Sequence, residues 1–98
     1  MKENLQNIGI WGQRHYEYLM NNQRTTINVM RMNGTLHDYL SDINHDAQEM
    51  FDTIVKRTAE LENVTEQLKA TNQAEWIARM NSIRKRAEEF VLNDLIYQ

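Results

Sequence analysis

The side chains of this 98-residue chain that could do chemistry are carboxylates, guanidinium groups and imidazoles set at helical intervals. Asp38, Asp42, Asp46 and Glu49 step by four, four and three, which puts them on one face of a helix. Such a stripe is either a solvated surface opposite a core or a contact surface for a basic partner. Repulsion between like charges at i, i+4 costs only roughly 0.2–0.5 kcal/mol per pair, so the stripe needs no function to survive. His45 follows Asp42 by three and precedes Glu49 by four, so the three can face one point. Metal sites in helical bundles also draw ligands from the facing helix, and the last third of the chain has no His. Neither a metal nor a cofactor is expected.

The cations form a second set. Arg84-Lys85-Arg86 is a candidate phosphate-binding cluster, diluted within a turn by Glu88 and Glu89. Arg14, Arg24 and Arg31 lie in a mildly basic first third. Two short helices there resemble a helix-turn-helix, with Thr25, Thr26, Asn28 and Arg31 as candidate base or phosphate contacts. The plainer reading is a helical cap on the rest of the chain. There is no Cys, no Gly-rich phosphate loop and no nucleophile beside a base, so no enzyme is expected.

The elements that must position these groups are helices. The chain has no Pro and only three Gly, at 9, 12 and 34. All helix-breaking punctuation therefore falls in the first third. Beyond Gly34, the residues Leu36, Leu40, Ile43, Ala47, Met50, Ile54 and Leu61 follow alternating steps of four and three, with one gap near Arg57 and Thr58. Tyr39, Phe51 and Val55 widen that face. Thr35 is the expected N-cap, with Asp38 three residues on as a short capping box. The pattern breaks at Asn63-Val64-Thr65, where Thr65 can cap a second long helix. Trp76, Met80, Ile83, Ala87, Phe90 and Leu95 form its expected inner face, flanked by Leu68, Ile77 and Val91. Two such helices joined by a short link are antiparallel neighbours. The first third reads as helices over 8–21, with Trp11, His15, Tyr18 and Leu19 inward, and over 25–32, with Ile27 and Met30 inward. The expected fold is all-α: one domain of residues 1–98, with two short N-terminal helices (1–34) packed on a long antiparallel hairpin (35–98).

Composition bounds the function. Hydrophobic residues make up 41% and charged residues 26%, which suits a folded domain. The net charge of -3 is uneven: +2 over residues 1–34, -5 over 35–64 and zero over 65–98. An acidic middle is a poor footprint for coating DNA and suits a basic protein surface. Met1 to Asn7 is polar, without the apolar core of a signal peptide. No apolar run reaches the ~20 residues a membrane span needs.

Gly9-Ile10-Trp11-Gly12-Gln13-Arg14-His15 with Tyr18-Leu19 resembles the opening of the TnpV family, small proteins encoded on transposons and related mobile elements of Gram-positive bacteria. Gly34-Thr35-Leu36, Tyr39-Leu40, Ile43 and Ala47 continue the resemblance. So do Thr65-Glu66-Gln67-Leu68-Lys69-Ala70, Trp76, Met80-Asn81, Ile83-Arg84 and Ala87-Glu88. It spans about Gly9 to Tyr97 and departs at Thr25 to Met32, where Ile27, Val29 and Met30 replace an aromatic and a Leu pair. The resemblance implies a mobile-element setting and a bacterial cytoplasm, and carries no catalytic residues. Small proteins of mobile elements either assist excision and transfer or handle the host. The acidic middle favours the second class: an inhibitor or regulator that binds a protein partner, for instance a basic nucleic-acid-binding effector of host defence in the manner of an anti-CRISPR protein. The alternative is an excisionase-like DNA-binding accessory factor. A helical arm of this kind can also pair with a second copy into a four-helix bundle.

Overall fold

The structure is a computed structural model and describes residues 7–97, so most of the polar stretch at the N-terminus lies outside it. The described residues are helical, without strands, and the all-α expectation holds. The elements are α1 (Gly9–Asn22), α2 (Arg24–Asn33), α3 (Leu36–Leu61), α4 (Glu66–Thr71) and α5 (Gln73–Val91), closed by a π-helical turn (Leu92–Ile96).

The ends of α3 follow from local chemistry. Gly34 takes the left-handed conformation, with φ of 72°. The amide of Thr35 then donates to the Met30 carbonyl at 2.9 Å, and that of Gly34 to Arg31 at 3.2 Å. This is a Schellman ending for α2. It carries the chain directly into α3, and Thr35 sits in the helical region with no side-chain capping bond. The expected Thr35–Asp38 capping box is therefore absent, because the turn has already fixed the backbone of Thr35. At the far end Asn63 supplies the left-handed residue, with φ of 57°. The Val64 amide reaches back to the Ala59 carbonyl at 2.8 Å, and the Val64 side chain is buried. Thr65 caps α4 as expected, its Oγ1 accepting from the Leu68 amide at 3.3 Å.

The second arm differs from the single long helix that periodicity predicts. It breaks at Asn72, whose Oδ1 accepts from the Glu75 amide at 3.2 Å and starts α5 anew. Asn72 and Glu75 have the spacing of a capping box, and the Asn72 amide donates to the Glu75 carboxylate at 3.3 Å. The short α4 folds back against α5. At the other end of α5 the winding widens to i→i+5. Residues five apart, about 140° apart in an α-helix, are then brought toward one side. Val91 and Ile96 are thereby both buried, while Phe90, expected inside, is 54% exposed and Leu95 is half-buried.

Three buried clusters lie in series along a body of 55 × 22 × 17 Å. The first joins α1, α2 and the start of α3 through Leu19, Ile27, Leu36 and Leu40. The middle one brings Trp11 of α1, Ala47 of α3, and Val91 and Ile96 together. The third closes the tip with Val64, Met80 and Ile83. α1 thus lies on the first half of α3, while α5 runs antiparallel along the second half.

Candidate partner-binding face

α1 is fixed to α3 by a set of polar contacts drawn from its Gly-Ile-Trp-Gly stretch. Asn44 of α3 turns its Oδ1 to the first turn of α1, accepting from the amides of Trp11 at 3.1 Å and Gly12 at 3.3 Å. These amides lie in the turn that lacks enough intrahelical partners, so Asn44 caps α1 from another helix. One turn on, Gln48 Oε1 accepts from the indole N–H of Trp11 at 3.1 Å, while its amide donates to Asp52 at 3.0 Å. The backbones approach closely only because Gly9 and Gly12 carry no side chain. A Cβ at Gly9 would collide with the Asn44 amide, and one at Gly12 would lie 2.8 Å from the Leu40 carbonyl oxygen. Glycines that weaken α1 as an isolated helix are thus what lets it dock.

His15 makes the second tie. It is 3% exposed, with Nδ1 2.8 Å from the Ile96 carbonyl and Nε2 2.7 Å from the Tyr39 hydroxyl. A neutral ring that donates from Nδ1 and accepts at Nε2 satisfies both contacts. Burial raises the Tyr39 phenol above its ordinary range. One imidazole therefore joins α1, α3 and the π turn. Sequence periodicity assigned His15 an inward place but gave no sign of these partners.

With one flank of α3 occupied in this way, its opposite face is left to solvent. Asp38, Asp42, Asp46 and Glu49 are all exposed there. His37 lies 3.7 Å from Asp38, and His45 lies 3.8 Å from Glu49. Among the described residues no Lys or Arg comes within ion-pairing distance of any of the four. Three acids elsewhere are paired with Arg. Arg14 pairs with Glu88 at 3.0 Å, Arg79 with Glu75 at 2.7 Å, and Arg86 with Glu62 at 2.8 Å. The Arg86 guanidinium holds the Glu62 carboxyl below the usual carboxylate range. No group of three or more His, Cys, Asp or Glu among the described residues is placed to hold a metal ion.

The edge of the acidic face adjoins a trough between α3 and α5 of about 360 Å³. Met50, Ile54 and Phe90 supply its apolar lining, with Asp46, Glu49 and Thr53 alongside. Sequence reasoning placed Met50, Ile54 and Phe90 wholly in the core and so missed the trough. The buried face of α5 runs through Ile83, Ala87 and Val91, which leaves Phe90 at its outer edge.

The cations do not converge. Arg84, Lys85 and Arg86 follow one another on a helix, where neighbours point about 100° apart. Arg86 is turned to Glu62, while Arg84 and Lys85 are exposed. Arg14 also lies 5.9 Å over the Trp11 ring. Arg31 donates to the Tyr16 hydroxyl at 3.1 Å and to Asn28 at 3.4 Å, and Arg24 is exposed at the start of α2.

Compared with known proteins, the chain matches the family model described as transposon-encoded protein TnpV over residues 1–96. No curated protein and no solved structure matches. No helix among the described residues is long and apolar enough to cross a membrane.

Proposed function

We propose that this chain, which belongs to the TnpV family of transposon-encoded proteins, acts without catalysis by binding a basic protein surface through the acidic face of α3. The observation that carries this reading is the set Asp38, Asp42, Asp46 and Glu49, exposed together on one helix face, with no Lys or Arg among the described residues paired to any of them. Four carboxylates held on one rigid helix attract a cationic surface over about a Debye length of ~8–10 Å and orient its approach. A basic protein that normally holds nucleic acid offers the matching field. In a mobile-element setting, a host-defence nucleoprotein such as a CRISPR effector fits that description, and occupying its channel would inhibit it. The divergent cations weigh against the excisionase-like alternative, which needs a shared phosphate-facing surface.

The test is capture of bacterial proteins on the immobilised chain after nuclease treatment. Basic nucleic-acid-binding proteins should be retained at low salt and lost when Asp38, Asp42 and Asp46 are changed together to Lys, with helicity by circular dichroism preserved. Retention unaltered by that triple change removes the acidic face from the account. A shift of duplex DNA at low salt, fading as salt rises, would favour the DNA-binding alternative instead.

A further inference from the structure

We infer that the trough between α3 and α5 receives an amphipathic helix of the partner protein, with an apolar stripe flanked by Lys or Arg. The inference rests on the protein-binding reading above and adds the mode of docking and the chemistry of the docked element. Two antiparallel helices bury only one side of their seam. Here Met50, Ile54 and Phe90 line the open side, and Phe90 is 54% exposed although it is a large aromatic. Its lining is supplied by successive turns of α3, with Phe90 of α5 on the other side. A third helix laid along it completes the packing as ridges into grooves, with anchors spaced i, i+3 or i+4, and i+7. A partly exposed aromatic in such a seam is the kind of side chain that carries a large share of binding energy.

The rim decides the charge of the occupant. Asp46 and Glu49 line the trough, with Asp42 one turn before Asp46 on the same face. A helix with Arg or Lys beside its apolar stripe places cations against them, and one with Glu or Asp there is repelled. The same charges oppose seam-to-seam pairing of two copies, which sets Asp46 and Glu49 against their own counterparts. Another surface open to self-association is α2, which exposes Val29 and Met32 and has no Asp or Glu in its own sequence.

The experiment uses the full chain and labelled synthetic peptides of roughly 18 residues, long enough for a stable helix when Ala-rich. One peptide carries Leu at i, i+3, i+4 and i+7 flanked by Arg. A second has the same composition scrambled, and a third has Glu for Arg. Fluorescence anisotropy should show the striped basic peptide binding at least about tenfold tighter than either control, a difference of roughly 1.4 kcal/mol. Phe90→Ser should lower its affinity about tenfold. So should Thr53→Arg, which fills the trough from an exposed position outside the core. Equal binding of the scrambled peptide overturns the groove and leaves the acidic-face reading standing. Unchanged affinity in both variants also overturns it. Binding lost in the two trough variants but kept when Asp46 and Glu49 become Lys overturns the basic character of the occupant. Sedimentation of the chain alone should give a monomer. A dimer dispersed by Phe90→Ser makes a second copy the occupant and overturns the partner helix.

Discussion

At Gly12 the question is what one methyl group would do. An unencumbered Gly→Ala change in a helix gains about 1 kcal/mol through propensity. Here the added carbon would meet the Leu40 carbonyl oxygen at 2.8 Å and the Ile8 side chain at 3.2 Å, and the first of these is backbone that cannot turn aside. Overpacking of this sort costs about 1–3 kcal/mol. Gly12→Ala should therefore lower the melting temperature, by about 4–8 °C for each kcal/mol lost in a domain of this size. Asn44→Ala should also destabilise, by about 1–2 kcal/mol, because it strips the acceptor from two amides at once. Asn44→Asp keeps that acceptor and adds a charge favoured at a helix N-terminus, so it should melt close to the parent. Thermal unfolding followed by circular dichroism orders the three variants, and a rise in melting temperature for Gly12→Ala would refute the close approach. This is also where the sequence was least transparent. The Gly-Ile-Trp-Gly stretch could be seen as unusual, but its partner Asn44 lies more than thirty residues on and carries no local mark.

The helices themselves were legible in unequal measure, and the reason is physical. α3 shows itself because one wide apolar stripe follows the helical period for its whole length, and its end is marked by Asn63-Val64-Thr65. The break at Asn72 lies where the apolar pattern lapses between Leu68 and Trp76, and its Asn72–Glu75 cap is the only local sign. The π turn has no local sign at all, since its winding answers to the burial of Ile96 and the bond from His15 to its carbonyl. The arms are also tied near the tip by Glu62 and Arg86, a half-exposed bidentate pair with distances of 2.8 and 3.1 Å. The pair lowers the pKa of the folded Glu62 carboxyl below its unfolded value, chiefly through hydrogen bonds from Arg86. Its stabilisation is thus fully present above the ordinary carboxylate range and is lost as pH falls through the depressed folded value. Glu62→Gln should melt slightly below the parent at neutral pH, and the gap should close in acid. A gap that persists once the Glu62 carboxyl of the parent is protonated would show that the tie is not electrostatic.

Across the whole molecule the clusters are arranged in line, and that sets where it opens. The radius of gyration is 17.1 Å, against about 13 Å for a compact domain of this length. A rod of this kind has no common centre, so each segment is only as stable as the cluster beneath it. The middle holds α1, α3, α5 and the π turn together through Trp11, Ala47, Val91 and Ile96, reinforced by His15 and Gln48. At the tip the buried residues among those described are Val64, Met80 and Ile83, and the six residues of α4 lie chiefly against α5. Local opening follows such differences in buried contact. Amide hydrogen exchange should therefore be fastest in α4, slower in the second half of α3, and slowest around Ala47 and Val91. The trough borders that slowest region, with Met50 and Ile54 packed against the middle cluster. Its floor is consequently preformed, and a docking helix would order little of this chain on arrival, which spares part of the usual cost of association. Binding of the striped basic peptide should then leave exchange in α4 unchanged and slow it only where α3 and α5 flank the trough. Equal protection of α4 and the middle before any peptide is added would show one cooperative unit, and the argument from clusters in series would fail.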